Sequence, residues 1–69
     1  MNALAKIEMA LAMLRIGGLR PSTLRAARAM LDRALGDANR NGNIAFRASI
    51  MRMRNWLSAA LNRVERAHG

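Results

Sequence analysis

No cysteine occurs anywhere in this chain of 69 residues. That rules out disulfide stabilisation, removes the commonest zinc ligand and leaves no nucleophilic thiol. Histidine is almost as scarce. His68 stands alone near the last position, too poorly placed to activate Ser22, Ser49 or Ser58 as a nucleophile. Aromatic residues are limited to Phe46 and Trp56, and proline occurs once, as Pro21. β-Branched residues are few and scattered, so nothing reads as a strand. Acidic residues number four, Glu8, Asp32, Asp37 and Glu65, and no two of them form a catalytic pair. Glu65 and His68 make the Glu-x-x-His step used in di-iron bundles. Without bridging carboxylates at mid-bundle, they read as surface residues. Gly17-Gly18 follows a helical pattern rather than a strand, so it is no phosphate-binding loop. The chain therefore reads as non-enzymatic, with no cofactor and no metal.

Long hydrophobic runs are missing as well. Lys6, Glu8 and Arg15 interrupt the apolar N-terminal stretch, and no segment reads as a targeting or membrane-spanning element. A cytoplasmic location is the expectation. Apolar residues nevertheless make up 52% of the chain, much of it alanine. Ala, Leu, Met and Arg are strong helix formers, which points to an all-α fold.

Charge is the most lopsided property. Eleven Arg and one Lys oppose the four acids, giving a formal net charge of +8. Such an excess favours anionic partners: nucleic acid, acidic protein surfaces or anionic lipid. The weight of Arg over Lys is also what a GC-rich genome tends to encode.

The periodicity predicts one domain over 1–69, with three helices at about 2–16, 22–40 and 43–67. In the third, Phe46, Ile50, Met53, Leu57, Ala60, Val64 and Ala67 recur at steps of four and three, a single apolar stripe. At 1.5 Å per residue that helix is about 37 Å long, and the other elements are expected to lie against it. The second helix carries a lighter stripe of Leu24, Ala27, Leu31, Leu35 and Ala38. Ser22 is expected to cap it, and Gly36 to be an interior weak point in a continuous helix. Arg28–Asp32 and Arg33–Asp37 stand four apart and are expected to pair along it. Asn41-Gly42-Asn43 is a tight turn, which makes helices two and three an antiparallel αα-hairpin.

The first helix is apolar on two sides. Leu4, Ile7, Leu11 and Leu14 form one stripe, while Met9, Met13 and Ile16 fall nearly opposite, beside Ala5 and Ala12. One side can pack on its own chain as the helix crosses the hairpin. The other calls for a further partner, and a second copy is the simplest one. So short a chain buries only about 60% of its unfolded surface, and a partner subunit is a common remedy. The expected homodimer interface comprises Leu4, Ile7, Met9, Leu11, Met13 and Ile16. Leu11→Asp is then expected to give monomeric or unfolded chain.

Arg52, Arg63 and Arg66 share one side of the third helix, near Trp56, and Arg47 and Arg54 share the other. These six form the candidate partner-binding set, since Arg and Trp are the side chains most enriched in interface hot spots. Trp56 at the edge of an apolar stripe also has a plain reading as core. In size, composition and want of catalytic groups the chain resembles short inhibitor or adaptor proteins of bacteriophages and mobile elements. That resemblance implies a regulatory or inhibitory protein acting by direct contact with a larger target that carries an acidic or nucleic-acid-binding surface. The alternative is a helical dimer, Rop-like in architecture, that binds RNA or DNA through its Arg-rich faces. A membrane-surface role is disfavoured, because the stripe of the third helix is needed for its own seam.

Overall fold

The computed structural model describes residues 2–68, apart from the side chain of His68. It holds three α-helices: α1 (Ala3–Gly17), α2 (Pro21–Asn41) and α3 (Ile44–His68). The chain is all-α, and among the described residues no strand occurs.

Local chemistry sets each boundary. Asn2 caps α1, its side-chain oxygen accepting a hydrogen bond from the Ala5 amide at 2.8 Å. Gly18, at φ 66°, ends that helix and donates its own amide to the Leu14 carbonyl. The next helix begins at Pro21, with Arg20 as the cap residue and no side-chain cap. Ser22 therefore lies inside the first turn rather than capping it. Proline's fixed φ is already helical and its missing N–H loses nothing at the first helical position, so the start moves one residue earlier. Gly42 closes α2 in the left-handed conformation (φ 70°, ψ 23°), and the Asn43 side chain caps α3 by accepting from the Phe46 amide at 3.1 Å. Helix α2 runs unbroken through Gly36.

The organising element is α2, not the longer α3. Helices α1 and α3 pack along opposite flanks of α2 and scarcely meet each other. The first helix thus lies beside one arm of the hairpin instead of crossing both. The connection over 18–20 makes α1 and α2 a second helical hairpin. The whole is a flat layer of three helices, 39 × 19 × 13 Å along its principal axes.

Burial follows from this arrangement. Leu24, Ala27, Leu31, Ala34 and Ala38 of α2 are essentially inaccessible, joined by Ala3, Ile7 and Ala10 from α1 and Ile50, Leu57, Ala60 and Leu61 from α3. Small residues dominate the α1–α2 seam: Ala3, Ala10 and Gly17 repeat every seven residues and let the helices approach closely. A Cβ placed on Gly17 would lie 2.5 Å from Thr23 Oγ1. Within the α3 stripe Ile50, Leu57 and Ala60 are buried and Phe46, Met53 and Val64 half-buried, with two changes from the expected pattern. Ala67 is exposed, where α3 reaches the start of α2, and Leu61 joins the core.

Ion pairs tie the layer together across its seams. Lys6 reaches Asp37 from α1, and Arg40 meets the same carboxylate from within α2. Arg54 pairs with Asp32 at 2.5 Å, and Arg25 with Glu65, both between α2 and α3. The expected Arg28–Asp32 and Arg33–Asp37 pairs are thus replaced. Asp32 is met by Arg54 of α3, and Asp37 by Lys6 of α1 and by Arg40 one turn along α2.

Candidate functional site

Because α1 and α3 both lie against α2 without closing on each other, one face of the layer carries a furrow between them. Its floor is α2 and its walls are the inner flanks of the outer helices.

The deeper part has room for about 270 Å³ and presents no polar surface. Leu11 and Leu14 form the α1 wall, Leu31 the floor, and Met53, Trp56 and Leu57 the α3 wall. A second depression of about 210 Å³ continues the furrow toward the α2–α3 turn, between Leu4 and Phe46 and over Ala38, with Asn41 and Asn43 at its end. The wall residues of the two depressions stand seven apart on each helix, Leu4 to Leu11 and Phe46 to Met53. The furrow is therefore periodic with the helix repeat.

Trp56 is 52% exposed and lies on the furrow rim rather than in the core. Arg52 comes one turn before it and Arg63 two turns after, both exposed. Among the described residues neither has an ion-pair partner. Arg63 and Arg66 share a shallow depression with Ala59 and Asn62. Arg54 is brought elsewhere, to Asp32 of α2 across the α2–α3 seam. Arg47 borders a small recess at the α2–α3 turn. The six candidate binding residues thus divide into a rim group (Arg52, Trp56, Arg63, with Arg66 beyond) and two that stand apart.

The candidate dimer residues divide as well. Ile7 is buried within the chain's own core, and Met13 is half-buried against it. Leu4 and Leu11, the latter 45% exposed, line the furrow. Only Met9 and Ile16 face away along the outer edge of α1, with Ile16 88% exposed. Leu11→Asp would therefore place its charge at a furrow wall and not in a closed seam.

The most heavily constrained ionisable group is Asp37. It is buried, and the hydrogen bond from Lys6 holds its carboxyl below the ordinary 3.8, against the opposing push of burial and with the charges of Lys6 and Arg40 adding to the effect. It faces the α1–α2 seam, where its work is structural. Glu65, half of the Glu-x-x-His step, is engaged by Arg25, while the His68 side chain lies outside the described residues. Among the described residues no three His, Cys, Asp or Glu side chains gather as metal ligands, and no helix is long and apolar enough to cross a membrane.

The furrow is what the sequence left unread. Its α1 wall was visible as the Leu4, Ile7, Leu11 and Leu14 stripe, yet nothing in that stripe says it would be half covered. Compared with known proteins, the chain matches no family model, no curated protein and no solved structure.

Proposed function

We propose that this chain is a small non-enzymatic regulatory or inhibitory protein that acts by direct contact with another protein, using the furrow and its arginine rim. The observation that carries this reading is the coincidence on one face of an apolar cleft, a half-exposed Trp56 and two arginines without an ion-pair partner among the described residues. Buried apolar anchors ringed by charge are the composition of interface hot spots, with Trp and Arg foremost among them. The deeper depression, at about 270 Å³, is smaller than the usual small-molecule site and has none of the converging polar groups such a site needs to orient a ligand.

Self-association belongs to the same proposal. Met9 and Ile16, with Ala5 and Ala12 beside them, form an uncharged strip along the outer edge of α1. Two copies joined there in an isologous interface would leave both furrows open.

Nucleic acid is the second reading, favoured by Arg63 and Arg66 sharing one depression. The two readings separate by affinity enrichment from host lysate with and without nuclease, using wild type, Trp56→Ala and Arg52→Ala/Arg63→Ala. A discrete protein retained after nuclease treatment and lost with Trp56→Ala supports the protein-contact reading. Recovery of nucleic acid alone, released steeply by salt, overturns it.

A further inference from the structure

The furrow has a repeat, a width and a sign of charge, and together these define one kind of occupant. Its two depressions are separated by seven residues along both walls, Leu4 to Leu11 and Phe46 to Met53. Seven residues of helix span about 10.5 Å, the distance between side chains two turns apart on any helix laid alongside. Each depression, at about 270 and 210 Å³, has room for a large apolar side chain or two and not for an extended ligand. An extended strand would alternate its side chains and match this repeat poorly. It would also find no sheet edge to pair with. A helix presents anchors at i, i+3 or i+4, and i+7 on one face, and matches it directly.

Charge selects among helices. Arg15 on the α1 side and Arg52 and Arg63 on the α3 side are exposed and lack ion-pair partners among the described residues. Glu8 is the single acid on the α1 side, and the chain as a whole carries +8. A second copy would bring another +8 against this rim, and its own α1 has Lys6 and Arg15 against Glu8 alone. Like charges brought together at an interface are unfavourable, while acidic flanks would find Arg52 and Arg63 along the α3 rim.

We propose that the α1–α3 furrow is the docking site for an amphipathic helix of a different, acidic protein, seated by two large apolar side chains seven residues apart and flanked by Asp or Glu. This rests on the protein-contact reading above and specifies its partner. Once seated, the incoming helix is a fourth member of the bundle. It covers Leu4, Leu11, Met53 and Trp56 and faces the floor formed by Leu31.

Trp56 is the chain's single tryptophan and stands at the furrow rim, so its emission reports occupancy directly. The test titrates the full chain with tryptophan-free synthetic helical peptides of about three turns. One carries Leu at i, i+3 and i+7 with Glu flanks, one has the same Leu positions with Lys flanks, and one has the Leu positions moved to i, i+2 and i+5. The expected result is a saturable blue shift with the Glu-flanked peptide, at least tenfold weaker binding of the other two, and loss of binding in Leu4→Asp and Leu11→Asp proteins. Each variant is checked for unchanged helicity by circular dichroism, and amide chemical-shift mapping must place the peptide between α1 and α3.

Equal binding of the Glu- and Lys-flanked peptides overturns the charge assignment, and no response from any peptide overturns the site. Sedimentation tests the rival occupant. A wild-type dimer dissociated by Leu4→Asp/Leu11→Asp but not by Met9→Asp/Ile16→Asp would mean that a second copy fills the furrow, and the proposal fails. These outcomes are independent of the lysate experiment. Peptide binding without a host protein would sink the protein-contact reading alone, while a host protein lost with Trp56→Ala despite inert peptides would sink only the helix.

Discussion

Lys6 of α1 and Asp37 of α2, 31 positions apart in sequence, form the ion pair that fixes the first helix against the second. Both side chains are largely withdrawn from solvent, and Asp37 accepts from Lys6 through one oxygen and from Arg40 through the other. Asp37 titrates below its ordinary 3.8, so the folded chain holds the charged form more firmly than the unfolded chain does. A depressed folded-state pKa gives stability that is fully present above the unfolded value and is lost as pH falls through the folded one. Melting followed by circular dichroism should therefore be level from pH 7 to 5 and decline below about pH 4. Asp37→Asn should melt lower at neutral pH and converge on wild type in acid. Parallel curves at every pH would show that the pair contributes nothing through its charge.

Gly17 and Thr23 set how closely α1 turns back onto α2. A Cβ at 17 would meet Thr23 Oγ1 at 2.5 Å, Cγ2 at 2.8 Å and Cβ at 3.2 Å. Threonine is stiff at χ1 and cannot swing aside freely. Gly17→Ala should destabilise the chain although alanine is the better helix former, by about 1–3 kcal/mol on the scale of overpacked sites. Thr23→Ala removes the two nearest atoms, so the double variant should recover most of that loss in a urea titration. An additive result would mean that the strain lies elsewhere.

Gly36 invites the opposite change. It lies in the interior of α2, and a Cβ there would meet only Arg40 Nη1, at an ordinary 3.6 Å. Gly36→Ala should stabilise by roughly 0.5–1 kcal/mol through the unfolded chain's lost freedom, raising Tm by several degrees in a domain of this size. Unchanged or lowered Tm would refute the view of this position as open.

Floor and rim should respond differently to truncation. Leu31 is 1% exposed, and Leu31→Ala is expected to cost about 2–5 kcal/mol, a large share of the stability of a small domain. Trp56→Ala, at the rim, should cost about 1 kcal/mol or less in chemical denaturation. A loss at Trp56 as large as that at Leu31 would mean the indole is part of the core.

Much of this fold is legible in the sequence because its signals are local. Asn43 as a cap, Gly18 and Gly42 as stops, and the four-and-three spacing from Phe46 to Val64 act within a turn or two of chain. What escapes is whatever depends on a third element. Helix α3 reads as the organising element because its stripe is the longest and is unbroken. The light stripe of α2 signals close approach of a neighbour, but not that neighbours arrive on both flanks. Asp32 and Asp37 looked paired along α2 for the same reason, since spacing alone does not reveal Arg54 and Lys6 arriving from either flank. The stripe of Leu4, Ile7, Leu11 and Leu14 is legible as apolar, but its division into buried Ile7 and open Leu4 and Leu11 follows from how far apart α1 and α3 stand.

The central position of α2, in sequence as in space, also governs how the chain comes together and comes apart. Nearly every tertiary contact joins helices adjacent in sequence through three residues or fewer of connection, which gives a low contact order and places folding in the microsecond-to-millisecond range. Loss of either outer helix would leave α2 packed on the other, so α1 and α3 are expected to open as separate units. The amide hydrogens of α2 would be fully released only when both neighbours have left, and hydrogen exchange should find them the slowest in the molecule.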